Sequence, residues 1–326
     1  MKVAASSLEG SRAEGYACAL GAGALWGTTG PLSTVLYSQG AALAGIGFWR
    51  IFVAALCFAA AGLRWRSLFR IRPRTLALVA LGGGALVALF EVSYQVAIAG
   101  VGVAGAAALL YTAPVMVALL GHMILGERLS GLRLFLAVMV AAGAALTVSG
   151  GDRPSMAGVA APASLAGVSG GLLAAASYAG TTLLARAVVP SIGPVRFLFW
   201  EIAGGSLILG AVLLLGGGDL MALPGMAAWV YVLALALGTV VAANLLYFAA
   251  LERIDAAPTS IAATIEPVVG SLLALFLLGQ NLDLLGWVGL AMVVSGVAGG
   301  YRASGEGQRP QPPRRTTVKD PKKISA

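Results

Sequence analysis

The chain of 326 residues is 59% hydrophobic and 10% charged, with a formal net charge of +8. Because soluble domains carry roughly 25% charged residues, this composition excludes an ordinary water-soluble fold and indicates a lipid bilayer as the solvent. The positive charge does not indicate nucleic-acid binding, since seven of the 21 basic residues lie in the C-terminal tail and five are arginines between positions 64 and 74.

Ten apolar segments are long enough to cross a bilayer, which requires about 20 residues each. They lie at 16–37, 42–63, 75–98, 103–125, 130–149, 165–187, 194–215, 226–250, 256–278 and 283–301. The sequence therefore predicts an all-α integral membrane protein with ten transmembrane helices. The first segment is too long for a cleaved signal peptide, so we expect it to remain as a helix.

The longest internal connection, 150–164, divides the chain into two groups of five predicted helices, at 16–149 and 165–301. Residues 1–15 form a predicted N-terminal tail. The Pro-rich and basic segment 302–326 is a predicted disordered tail.

The distribution of basic residues predicts the orientation. If the N-terminus is cytoplasmic, 19 of the 21 Lys and Arg residues fall on the cytoplasmic side, while Arg153 falls outside and Arg50 lies within a span. Basic residues collect on the cytoplasmic side of membrane proteins. Both termini are therefore predicted to be cytoplasmic, and the linker 150–164 to be periplasmic.

The two halves align with each other at a spacing of 151 to 153 residues. Matched positions are Trp26 with Tyr178, the tetrapeptide from Phe48 with that from Phe199, Tyr94 with Tyr247, and Pro114 with Pro267. Because each half has an odd number of predicted spans, the second copy must run through the membrane upside down. The charges agree, since segment 64–74 has five arginines and its counterpart 216–225 has no Lys or Arg. Inverted repeats are a common plan of secondary transporters.

The ten-span plan, the repeated prolines and the segment Gly126-Glu127-Arg128-Leu129 before a Gly-rich fifth span resemble the EamA-type drug/metabolite transporter superfamily. The resemblance covers residues 16–301, although the second half has Gly279-Gln280-Asn281-Leu282 at the matching place. Within the superfamily the chain is similar to the YddG-type aromatic amino-acid exporters. This implies a secondary transporter of the bacterial inner membrane that exports aromatic amino acids and planar cations such as methyl viologen, without nucleotide hydrolysis. We expect no cofactor and no metal site.

Four ionisable residues lie well inside predicted spans, where charge is costly and usually functional: Arg50, Glu91, Glu201 and Glu266. Arg50 and Glu91 lie at matching depth, so we predict that they form an ion pair. In the inverted copy these positions are Glu201 and Asn244, which can also form a hydrogen bond. The alternative is that both pairs only hold helices together.

Glu266 precedes Pro267 at the middle of the ninth predicted span. Since burial favours the neutral carboxyl group, Glu266 is predicted either to exchange a proton for the cargo or to act as a neutral hydrogen-bond donor. Proline removes one backbone hydrogen bond and can break a helix. The stretches 111–114 and 264–267 are therefore predicted walls of a central cavity, and Pro31 is expected to break the first span in the same way.

Seven Trp and Tyr residues lie away from the predicted helix ends: Trp26, Trp49, Tyr94, Tyr111, Tyr178, Trp200 and, less deeply, Tyr247. Three pairs among them are related by the repeat, so they would surround a central axis if they faced inward. Each ring stacked on a planar substrate contributes about 0.5–1.5 kcal/mol. Together with Asn244, the first six form the predicted substrate pocket, and ordinary helix packing is the alternative reading.

Three buried acids against one buried arginine suit a cationic cargo if all are ionised. An enzyme is not predicted, because the sequence has no HExxH, Walker or nucleophile-elbow motif and no cluster of metal ligands. A channel-like facilitator of small solutes stays open as an alternative to alternating access. The expected partners are a small-molecule cargo, the lipid bilayer and, as one option, protons, whereas the oligomeric state is open.

Overall fold

The computed structural model describes residues 2–41, 43–64, 66–149, 164–216, 225–278 and 282–307. Nearly all of the predicted linker 150–164, most of the segment 216–225, the tail beyond Gly307 and positions 279–281 lie outside the described residues.

The first half contains seven α-helices with two short helical segments of other types. They are α1 (Lys2–Gly27), α2 (Thr29–Ser38), α3 (Leu43–Arg64), a 3₁₀ turn (Arg66–Phe69), α4 (Pro73–Ala77), the π-helical segment π1 (Leu78–Gly83), α5 (Gly84–Leu110), α6 (Ala113–Leu125) and α7 (Gly131–Ser149).

The second half has a similar order, but its first span is the unbroken helix α8. It contains α8 (Leu165–Ile192), α9 (Pro194–Leu215), α10 (Gly225–Ala234), the π-helical segment π2 (Leu235–Ala242), α11 (Ala243–Arg253), α12 (Ala256–Ala263), α13 (Glu266–Leu278) and α14 (Leu284–Gly307).

In the described part of the chain, eight helical stretches are long and apolar enough to cross a membrane. The fifth predicted span corresponds to a shorter apolar helix, Gly131–Thr147. The first predicted span, 16–37, is divided by a break at Thr28 between α1 and α2. The total of ten spans and the cytoplasmic location of the termini therefore stay predictions. Residues 2–15 of the predicted N-terminal tail are helical, since α1 begins at Lys2.

Counterpart helices of the two halves pack against each other in opposite directions. Gly143 of α7 lies against Gly289 of α14, and Val140, earlier in α7, lies against Gly296, later in α14. A twofold axis that relates two antiparallel neighbours must run perpendicular to them. This is the geometry that an inverted repeat requires.

The contacts between the halves also recur when the halves are exchanged. Helix α1 packs on α11, and its counterpart α8 packs on α5, the counterpart of α11. Helix α3 packs on its own counterpart α9, with Phe48 beside Gly210 and Phe58 beside Phe199, again in antiparallel order. The fold is therefore an interlocked pair of similar bundles rather than two separate domains.

Helix α5 continues through the predicted connection at 100–102, but it cannot be straight there. Gly170 of α8 lies against Ser93, whereas the next residue, Gly171, lies against Leu109. On a straight helix Ser93 and Leu109 would be about 24 Å apart, which two adjacent residues of α8 cannot bridge. The chain therefore folds back between them, as two antiparallel spans require.

The π-helical segments π1 and π2 lie in the third and eighth predicted spans, which are counterparts. Such segments are rare and occur often at functional sites, because they displace backbone carbonyls from the regular ladder. π1 packs closely on α9, where a Cβ atom on Gly204 would lie 1.8 Å from the carbonyl oxygen of Ala80. Only glycine allows this approach.

Candidate substrate site

Two helix breaks face each other at the centre of the fold. The break at Tyr111 and Thr112 precedes α6, and the break at Thr264 and Ile265 precedes α13. Pro114 and Pro267 lie in the first turns of these helices. A backbone N–H in a first turn has no intrahelical acceptor, so a proline there costs no helical hydrogen bond. The prolines thus begin new helices rather than kink continuous ones.

Pro31 has the same position in the first span. It is the third residue of α2, which begins at Thr29 after the break at Thr28. The interruption expected from this proline therefore lies just before it, for the same physical reason.

A small cavity of about 30 Å³ lies between the breaks before α6 and α13. Its lining residues are Trp26, Leu110, Tyr111, Ala113, Pro114, Tyr178, Ser260, Ala263, Thr264 and Glu266. Most of them form pairs under the repeat: Trp26 with Tyr178, Leu110 with Ala263, Tyr111 with Thr264 and Ala113 with Glu266. A cavity lined by repeat-related pairs must lie on the pseudo-twofold axis. We call it the central cavity.

The aromatic rings beside the central cavity hold one another in place. The ring of Trp26 lies 6.1 Å from that of Tyr178 and 5.1 Å from that of Tyr247, which is 6.0 Å from Tyr178. The Tyr247 and Thr182 hydroxyls share a hydrogen bond of 3.0 Å. These contacts fix the faces that Trp26 and Tyr178 present to the cavity.

Carbonyl groups of π2 accept hydrogen bonds from the side chains of Trp26 and Asn244. The indole Nε1–H of Trp26 donates to the carbonyl oxygen of Thr239 at 2.9 Å. The side-chain amide of Asn244 donates to the carbonyl oxygen of Val240 at 2.8 Å. Asn244 thus satisfies the backbone of its own helix, and it does not line the central cavity as the sequence predicted.

Glu266 is the acidic residue of the central cavity. In the described part of the chain no Lys or Arg lies within ion-pair distance of its carboxyl group, although Arg50 is near enough to interact with it electrostatically. Arg50 itself binds Glu91, with Nη2 and Oε1 2.5 Å apart. The ion pair predicted from their equal depth is therefore present.

The inverted counterpart of this pair is not formed. Glu201 is 2% exposed, and its Oε1 atom has no hydrogen-bond partner among the described residues. It lies beside Gly83 of π1 rather than beside Asn244. The expectation that Glu201 and Asn244 form a hydrogen bond is wrong, because Asn244 is turned toward the carbonyl groups of π2.

Three further predicted pocket residues do not line the central cavity. Trp49 contacts Trp229 of α10 with ring centres 4.9 Å apart, and Trp200 contacts Phe69 of the 3₁₀ turn at 6.4 Å, so both rings pack between helical segments. Tyr94 stacks on Phe90 of its own helix at 5.7 Å.

Comparison with known proteins decides the class. The sequence pattern of the EamA-like transporter family matches residues 13–149 and 165–301. The chain belongs to the EamA-like transporter family. The protein is therefore a multi-pass membrane protein whose family transports small solutes, in agreement with the expectation that it is not an enzyme.

The crystal structure of another protein is similar to this EamA-like chain. Its TM-score is 0.74 at 20% sequence identity, and the alignment covers 91% of this chain and 100% of the other. At this identity the similarity concerns the fold alone. No curated protein matches the chain.

This EamA-like transporter carries a group of ion pairs at the end of the bundle that is predicted to be cytoplasmic. We call Glu127, Arg133, Arg186 and Asp255 the inner ion-pair cluster. Asp255 binds Arg133 at 3.1 Å and Arg186 at 3.2 Å, while Arg186 lies 3.4 Å from Glu127. The cluster therefore joins α7 and α8 to the turn between α11 and α12.

Glu127 has a second role in the inner ion-pair cluster. Its carboxylate accepts hydrogen bonds of 3.0 and 3.2 Å from the backbone N–H of Ala256, the first residue of α12. Burial raises the pKa of the Glu127 carboxyl group, with a smaller contribution from Asp255, against the lowering effects of the Ala256 N–H and of Arg186. A glutamate between the halves thus caps a helix that leads into the central cavity.

The inner ion-pair cluster has no charged counterpart on the opposite side. The residues that match Glu127, Arg133, Arg186 and Asp255 under the repeat are Gln280, Gly286, Thr34 and Gly102. In the sequence Arg133 and Arg186 contributed only to the predicted orientation and Glu127 belonged to the segment that carries the family resemblance, whereas Asp255 was not singled out. The missing signal was their lack of charged counterparts, which distinguishes the two ends of an otherwise symmetric fold.

Proposed function

We propose that this EamA-like transporter exports small metabolites across a bacterial inner membrane, and that its cargo is an aromatic amino acid or a related planar compound or cation such as methyl viologen. The observation that carries the proposal is the central cavity, which lies on the axis between the halves and combines aromatic rings with one acidic group. Alternating access requires a site at this place, since exchanging the conformations of the halves then exposes it to opposite sides.

The chemistry of the central cavity favours a ring that carries a positive charge or an amine. Trp26 and Tyr178 offer aromatic faces, which attract planar rings and cations. The carboxyl group of Glu266 lies beside them without an ion-pair partner in the described part of the chain. An ammonium or pyridinium group between these side chains would supply the missing partner.

The structure corresponds to a closed state in this proposal. A cavity of about 30 Å³ holds little more than a water molecule, whereas an apolar cavity of about 150 Å³ accommodates benzene. The walls must therefore move apart to admit cargo. The helix breaks at 111–112 and 264–265 are the places where the backbone can change direction without breaking a helical ladder, and the inner ion-pair cluster keeps the cytoplasmic end closed.

Counterflow into proteoliposomes tests the cargo class. We expect labelled tryptophan, phenylalanine and methyl viologen to exchange, and leucine to exchange much more slowly. Trp26→Ala should raise the half-saturating cargo concentration about fivefold to tenfold, because one aromatic contact contributes about 1 kcal/mol. Trp229→Ala is the matched control, since this ring lies outside the central cavity. Equal exchange of leucine and tryptophan, unaffected by Trp26→Ala, would refute an aromatic site.

A pH gradient separates a coupled carrier from a facilitator. If Glu266 exchanges a proton for the cargo, wild-type protein should concentrate cargo in response to the gradient. Glu266→Gln should lose that accumulation while it retains counterflow. Counterflow without accumulation in the wild type would instead support the facilitator.

A further inference from the structure

A second and larger space lies between α5 and α9. This crevice has a volume of about 270 Å³. It is lined by Val92, Val96, Leu209, Val212, Leu213 and Gly216, with Glu91 and Gln95 as its polar side chains.

The crevice has a closed floor and an open side. Glu91 is 5% exposed and Leu209 is 3% exposed, so they form the floor. Val96 of α5 and Val212 of α9 are 42% and 45% exposed, so they flank the opening. Residues 209–216 end α9, and in the predicted topology this end lies in the outer half of the membrane.

The Arg50–Glu91 ion pair links this crevice electrostatically to the central cavity. Glu91 lines the crevice and binds Arg50, and Arg50 interacts electrostatically with Glu266, which lines the central cavity.

The size and lining of the crevice indicate its occupant. Its volume exceeds the roughly 150 Å³ that accommodates benzene, whereas the central cavity in this state does not approach that value. Five of its lining side chains are apolar and suit a ring, while the Gln95 amide and the Glu91 carboxylate suit a polar group on that ring. A lipid chain would fill the apolar part but would offer the Gln95 amide no hydrogen bond.

We propose that the crevice is a second cargo site on the outer side of the Arg50–Glu91 pair, which holds the aromatic ring of the cargo after it leaves the central cavity. The polar group of the cargo binds Gln95 and Glu91 while the ring packs against the valines and leucines of α5 and α9. This inference rests on the proposed export of aromatic compounds and adds the route by which they leave.

Tryptophan substitutions at the opening test this proposal. Val212→Trp fills the crevice from α9, and Val96→Trp fills it from α5. Val195→Trp is a matched control, because Val195 is also a valine of α9 and is 42% exposed, but it does not line the crevice. Export of labelled tryptophan and equilibrium binding to purified protein are measured for all three.

We expect Val212→Trp and Val96→Trp to lower the export rate about tenfold with binding unchanged within about twofold, because the central cavity stays intact. Val195→Trp should leave both quantities unchanged. Wild-type export in either folded crevice variant overturns the proposal and leaves the crevice to lipid chains. If the wild type itself exports no aromatic compound, it is the proposed function that fails, so the two failures are distinguishable.

Discussion

Asp255 is the centre of the inner ion-pair cluster, because its two carboxylate oxygens bind two arginines at 3.1 and 3.2 Å. Asp255→Asn keeps the shape of the side chain and removes its charge. The three side chains are between 13% and 29% exposed, so each ion pair is partly shielded from water and contributes about 1 kcal/mol. Loss of both pairs costs the closed state about 2 kcal/mol, which shifts the ratio of inward-open to closed protein about 30-fold.

Chemical labelling of the central cavity measures this shift. Ser260 lines the cavity and is 2% exposed, so Ser260→Cys is a reporter of opening. The background lacks the native thiols through Cys18→Ser and Cys57→Ser. In inside-out vesicles, where the cytoplasmic face is accessible, we expect a membrane-impermeant maleimide to label the reporter about 30-fold faster when Asp255→Asn is present.

The Arg253–Glu14 ion pair supplies the control, because it lies at the same end of the bundle with side chains that are 33% and 68% exposed. Arg253→Gln should change the labelling rate less than about twofold. Labelling at the wild-type rate in Asp255→Asn, or an equal gain in Arg253→Gln, would refute the idea that the cluster holds the inner end closed.

Three further expectations concern stability and topology. Burial raises the pKa of the Glu127 carboxyl group above 4.5, so its stabilising contribution is complete at low pH and is lost as pH rises from about 4.5 through the folded-state pKa. The thermal stability of Glu127→Gln should lack this decline. Parallel pH profiles of thermal stability in the variant and the wild type would contradict the expectation. Gly204→Ala should destabilise the fold by about 1–3 kcal/mol, because its Cβ would meet a backbone carbonyl of π1, whereas Gly131→Ala, with nothing within 4 Å, should unfold like the wild type. Reporter fusions should place 64–74 inside and 216–225 outside; a shared compartment would exclude the inverted topology.

The plan of the fold could be predicted because it depends on patterns that survive duplication. The spacing of 153 residues between Pro114 and Pro267 predicted two matching helix breaks, and both are present at the centre. Equal depth along two helices was enough to predict the Arg50–Glu91 ion pair. These inferences need only the rise per residue of an α-helix and the internal repeat of the sequence.

The direction of a side chain around its helix was not predictable in the same way. Trp49 and Trp200 lie deep in their spans, yet they pack against other helical segments, because depth does not fix the face that meets the axis. Asn244 was assigned to the pocket because it matches Glu91 under the repeat, and a repeat match does not fix the groups that a side chain contacts. Its amide donates instead to the carbonyl oxygen of Val240 in π2.

The inner ion-pair cluster depended on contacts between distant parts of the chain. Glu127 meets Arg186, and Arg133 meets Asp255, only after the two halves interlock, so no local spacing predicted these contacts. What the sequence did contain was an asymmetry, namely four charges at positions whose repeat counterparts are uncharged. Such departures from internal symmetry are where a duplicated transporter distinguishes its two sides.

Determination of the protein's structure with bound aromatic cargo by electron cryomicroscopy tests the central claim most directly. We expect density for the ring against Trp26 and Tyr178, with its charged or amine group toward Glu266, and an expanded central cavity. Cargo density elsewhere, with the helix breaks before α6 and α13 still in contact around a cavity of about 30 Å³, would contradict it.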